Sequence, residues 1–181
     1  MKKEQRTFGY ISDGYGTRYL IFWIYFVLGD LNDASTYLRW YEKTFNDDTG
    51  EPIQKLCLSL LLHRMGKDEK AKYILANLML SNLYIIPVII GKPIKPYPIQ
   101  FGSNHADHEY SQAIPCEILN AITDDDKNWM KALYESLAFH RYRKRHIEIH
   151  EQLQKTHGEE QRSPLVNEAG NLLNELKKHC R

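Results

Sequence analysis

The sequence predicts an all-α protein, and three observations carry that expectation. Apolar residues recur at helical spacing between residues 15 and 82. The stretch from Cys116 to His157 contains neither glycine nor proline. Finally, a glycine-acid bend recurs 37 residues apart, each copy following an apolar helix and opening an amphipathic one. At 181 residues the chain has the length of one domain, so residues 1–181 are read as a single helical domain.

Composition narrows the function classes without naming one. The 24 Lys plus Arg balance 23 Asp plus Glu, which argues against a strongly basic nucleic-acid protein and against an acidic tail. Aromatics at 12% argue against disorder. Cys57, Cys116 and Cys180 lie far apart and form no paired motif, the N-terminus lacks the apolar core of a secretory signal, and the apolar run Tyr19 to Leu28 is about half a membrane span. These features predict a cytoplasmic protein without a membrane segment.

In chain order, residues 15 to 82 should form helices broken at Gly29-Asp30, at Asn46 to Gly50 and at Gly66 to Asp68. Residues 83–115 hold five of the seven prolines, which rules out a long helix and predicts a proline-rich spacer. Residues 116–181 should be C-terminal helices. Thr123 or Asp124 is a natural N-cap, and Met130, Leu133, Tyr134 and Leu137 begin a stripe that Tyr142, His146, Ile149 and Leu153 continue. Residues 126–156 fit either one helix or two with a turn near His140. Ser163-Pro164 reads as the cap of a last helix ending near Lys178, with Leu165, Leu172, Leu173 and Leu176 on its buried face.

The repeated bend is Gly29-Asp-Leu-Asn-Asp-Ala34 and Gly66-Lys-Asp-Glu-Lys-Ala71. Glycine permits the reversal, an acid or amide caps the next helix, and alanine lets two axes approach. This pattern resembles the tetratricopeptide repeat family, in a degenerate form covering residues 15–82, with bulky Phe22 at a family position for a small residue. Residues 81–133, from Ser81-Asn-Leu-Tyr-Ile-Ile-Pro to Gly91 and on to Trp129, are similar to the segment that trails such repeats in suppressor-of-tumorigenicity-like bacterial proteins. The resemblance implies two helical hairpins, a spacer and a C-terminal helical cap over the open end.

It also implies a groove lined by the first helix of each hairpin, to which Tyr19, Trp23 and Phe26 contribute from one copy and Leu56, Leu60, His63 and Arg64 from the other. Aromatics beside arginine suit a partner-binding surface. The competing expectation is that this face is internal, since a helix apolar all round is usually buried. A second candidate surface is Arg141, Arg143, Lys144 and Arg145, ending at His146, where an acidic protein partner is favoured over nucleic acid.

The histidines His105 and His108, and His146 and His150 four residues apart, could ligate a metal, but neither pair matches a known signature, so no metal and no cofactor is expected. No nucleophile or phosphate-loop motif occurs. The resulting expectation is a non-catalytic module that binds another protein or peptide, an adaptor or regulator with toxin neutralisation as a specialised form. Nucleic-acid binding through 141–146 and a histidine-based metalloenzyme are the alternatives.

Overall fold

Both recurrent bends form, and they set the frame of the molecule. The computed structural model describes residues 16–97, 99 and 103–179, with positions 4, 6, 7, 9, 11 and 13 before them. Cys180, residue 15 at the start of the first expected helical stretch, and Pro98 of the proline-rich stretch lie outside the described residues. Among the described residues every regular element is helical.

Helix α1 (Thr17–Leu28) ends where Gly29 turns to φ 69°, and α2 (Leu31–Thr44) starts at once, its N-cap Asp30 accepting from the Asp33 amide at 3.0 Å. Helix α3 (Pro52–Arg64) and helix α4 (Asp68–Ser81) repeat this arrangement around Gly66, at φ 70°. The second bend departs from expectation in its cap. Lys67 occupies the N-cap without a side-chain bond, and Asp68 and Glu69 act from the first turn, where they face the positive end of the helix. Ala34 and Ala71 are both buried at the helix crossings.

The two pairs differ in closeness. Helices α3 and α4 pack far more extensively than α1 and α2 do. Bulky Phe22 accounts for the difference: its ring stands between α1 and α2, edge-on to Tyr37 and Tyr41 at 5.0 Å from each. Helix α1 also packs along α3. As a result α3 is buried continuously from Gln54 to Leu62 and forms the axis of the core.

Residues 83–115 are wound more tightly than a plain spacer. Helix α5 (Ile85–Ile89) contains Pro87 within its first turn, where a proline forfeits no helical bond. Asn82 organises this stretch. Its side-chain oxygen accepts from the amides of Tyr84 and Ile85, while its nitrogen donates to the carbonyls of His105 and Asp107. A 3-10 turn (Asn104–Ala106) and α6 (His108–Gln112) follow.

The C-terminal part comprises α7 (Cys116–Ala121), α8 (Asp124–Glu135), α9 (Leu137–Lys155) and α10 (Glu159–His179). Thr123 caps α8 in a reciprocal box with Asp126, as the sequence suggests. Two helices occupy 126–156, and the break falls at Ser136, which caps α9 through the Phe139 amide, rather than near His140. Leu137 therefore leaves the apolar stripe and is exposed. The last helix starts earlier than Ser163-Pro164. Pro164 sits inside α10 on its solvent side, where water can serve the carbonyl that the missing amide would have met. No described helix is long and apolar enough to cross a membrane.

Candidate functional site

The expected groove is an interior seam at its far end. Phe26, Leu56 and Leu60 are 0% exposed, so none of them can touch a partner in this fold. Helices α7 and α8 cover the C-terminal end of α3. There Arg64 grips Asp126 through Nη2 at 2.5 Å and Nε at 3.3 Å, donates to the Ala121 carbonyl at 2.7 Å, and lies over the Phe26 ring. His63 stacks on Trp129 with ring centres 4.3 Å apart. Burial alone would push the Asp126 carboxyl up, but the hydrogen bonds from Arg64 and Thr123 outweigh it and hold the group below the usual aspartate range. Trp23 is partly buried against the core.

Tyr19 also turns inward. Its hydroxyl donates to Asp48 at 2.8 Å and accepts from Arg18 at 2.7 Å. Asp48 further accepts from Arg18 Nε at 2.6 Å, the Tyr41 hydroxyl at 3.0 Å and the Gly50 amide at 3.0 Å. One carboxylate thus ties α1, α2 and the loop 45–51 together, and these bonds keep it ionised against the cost of burial.

The basic run on α9 disperses around the helix. Arg143 lies over the Tyr134 ring at 3.8 Å and donates to the Tyr134 carbonyl, while Arg145 makes a bidentate pair with Glu168 of α10 at 2.6 and 2.7 Å. Lys144 stands 3.8 Å from Glu148, the pairing expected from the spacing. Arg141 is exposed. Two of the four basic residues are therefore engaged within the chain, Arg143 against Tyr134 and Arg145 in a surface pair with Glu168, and the four do not form a continuous free charge.

The histidine pairs remain apart. His105 packs against Tyr110 and His108 against Tyr84, whereas His146 and His150 lie together on α9 with ring centres 4.4 Å apart. Burial, and then the neighbouring His150, push His146 down to about 4, so it is neutral at physiological pH. Among the described residues no three His, Cys, Asp or Glu side chains converge to hold a metal. Burial pushes the Cys57 thiol up, which makes it inert.

No family model matches the chain. No curated protein and no solved structure matches it either.

The opposite end of α3 is open. A cleft of about 1120 Å³ lies between α2 and α4, bordered by the loop 45–51 and by Leu173 and Lys177 of α10. Tyr41, Phe45, Tyr73 and Ile74 give it apolar walls. Gln54 and Lys55 lie at its base, 3% and 7% exposed. Lys55 Nζ donates to Ser81 Oγ at 2.6 Å, and burial, only partly offset by Glu51 and Asp48, lowers the ammonium to about 8. Sequence reasoning passed over this cleft. Its signal is a polar Gln-Lys pair at the start of a leucine-rich helix.

Proposed function

We propose that the chain is a non-catalytic binding module of the tetratricopeptide-like kind, which takes an extended peptide segment of a partner protein in the cleft between α2 and α4. In this reading α1–α2 and α3–α4 are the two hairpins, residues 83–115 are the spacer and α7 to α10 are the cap. The observation that carries it is the cleft itself. Its volume suits a few residues of chain, and aromatic walls around a small number of polar groups are the composition of ligand sites. The aromatic seam at α1 and α3 is spent on the core, which leaves this cleft as the recognition surface. The setting proposed is the cytoplasm, in keeping with an unpaired, buried Cys57.

Panning a random peptide library on the purified protein tests the proposal. Enriched peptides should lose binding to Ile74→Arg, which places a charge in the cleft wall, and keep it toward Arg141→Glu. A library that yields no enrichment, or peptides that bind Ile74→Arg as well as the unaltered chain, would overturn it.

A further inference from the structure

We infer that Lys55 and Gln54 form a carboxylate subsite at the base of the α2–α4 cleft, one that takes an acid carrying an amide N–H two or three bonds away, as a peptide's free end or an acidic residue does. The inference rests on the peptide-binding reading and adds the chemistry of what the peptide must present.

The donors come first. A lysine ammonium has three N–H groups, and among the described residues only the bond to Ser81 Oγ uses one of them. Ser81 is itself committed, donating to the Asn77 carbonyl at 2.7 Å. The two nearby acids are already engaged elsewhere. Asp48 holds Arg18, Tyr19, Tyr41 and the Gly50 amide, while Glu51 caps α3 through the Gln54 and Ile53 amides and accepts from the Tyr110 hydroxyl. Among the described residues no carboxylate stands within 4.0 Å of Lys55 Nζ. A nearly buried ammonium with unspent donors favours an anion from outside.

The acceptor is beside it. Gln54 Oε1 is buried and has no donor among the described residues. Gly50, at φ 68°, lies against both groups: a methyl there would stand 2.4 Å from Gln54 Oε1 and 3.4 Å from Lys55 Cε. The glycine therefore lets the Gln54 carbonyl pack against the loop beside the lysine stem, where a side chain at position 50 would displace it, and the Asp48 bond to the Gly50 amide fixes the loop in position. A carboxylate with a neighbouring N–H satisfies both residues at once. Phosphate would meet Lys55 but set its oxygens against the Gln54 carbonyl, two acceptors face to face.

The test is an NMR titration of the full chain, following the Gly50, Gln54 and Lys55 amide signals. Two probes separate the sources: N-acetylglycine stands for a chain terminus and N-acetylaspartic acid α-amide for an acidic side chain. N-acetylglycinamide is the uncharged control. At least one acid should give saturable shifts centred on those residues and raise the Lys55 pKa, read from its Cε signal, and the one with the lower midpoint identifies the source. Lys55→Met and Gln54→Leu should each weaken the response at least about tenfold, because each removes a hydrogen bond to a charged or desolvated group. Equal shifts with N-acetylglycinamide, no shifts with either acid, or an undiminished response in a variant whose circular dichroism shows it folded would overturn the inference. Should Lys55→Met fail to fold, Gln54→Leu and the Lys55 titration in the unaltered chain still decide. Peptides enriched by panning that contain no acid, and that still depend on Ile74, would sink this subsite while leaving the binding cleft intact.

Discussion

The two ends of α3 meet the same problem and solve it differently. At the C-terminal end Arg64 is desolvated, and the chain supplies Asp126 from 62 residues away to meet it. At the N-terminal end Lys55 is desolvated further, and the described residues supply only a hydroxyl. A buried ion pair that is complete holds structure together, whereas a buried cation left short of an anion carries a standing cost. The contrast sets a closed ion pair at one end of the helix against an ammonium with donors to spare at the other.

The largest effect that could break this contrast lies in the seam. Phe26→Ala should cost about 3–5 kcal/mol, the range for emptying a fully buried aromatic site, as read by urea unfolding. A loss under about 1 kcal/mol would mean the seam is loosely packed. Next comes Arg64→Ala, which leaves the Asp126 carboxylate buried without its cation and should cost about 3 kcal/mol. The pair also has a pH signature. Asp126 is depressed in the folded state, so its contribution is present above the unfolded aspartate value and fades as pH falls through the folded one. Asp126→Asn should flatten that acid limb relative to the unaltered chain, and an unchanged limb would remove Asp126 as its source.

The open end predicts a second rise of stability with pH, on the alkaline side. Lys55 titrates at about 8 in the folded chain, below the ordinary lysine value, so the unfolded chain binds more protons between the two. Stability should therefore rise by roughly 1–2 kcal/mol from neutrality to about pH 9.5, before the tyrosines titrate, and Lys55→Met should abolish the rise. Chemical denaturation across that range decides it. The smallest change is expected for Tyr73→Ala, a partly buried wall residue under the Lys177 ammonium. Its unfolding midpoint should move by the equivalent of about 1 kcal/mol or less while peptide binding falls, separating recognition from stability.

Much of the local grammar could be read from the residues. The bends at Gly29 and Gly66, the Thr123 cap and the buried alanines are decided by neighbours within one or two turns, and the sequence displays such neighbours directly. The break at Ser136 was harder, because a serine that caps a helix looks the same on paper as a serine on its surface. Pro164 misled for a related reason: it suits a first turn, and nothing nearby shows that five residues of helix precede it. The fate of the aromatic face depended on α7 and α8 folding back over α3, a long-range event that periodicity does not encode. Arg143 and Arg145 likewise looked like free charge because Tyr134 and Glu168 are set against them only by the tertiary fold. The cleft escaped notice because three helices and a loop must assemble before Gln54 and Lys55 share a wall.

Asp126 serves two masters. It finishes the reciprocal box that starts α8, and it receives the guanidinium that docks α8 on the core. A single carboxylate shared in this way couples winding to docking: the segment has little reason to coil before it lands, and little reason to stay landed once it uncoils. The lid on the aromatic seam should accordingly come and go as one latch, fastened or released without a half-way position.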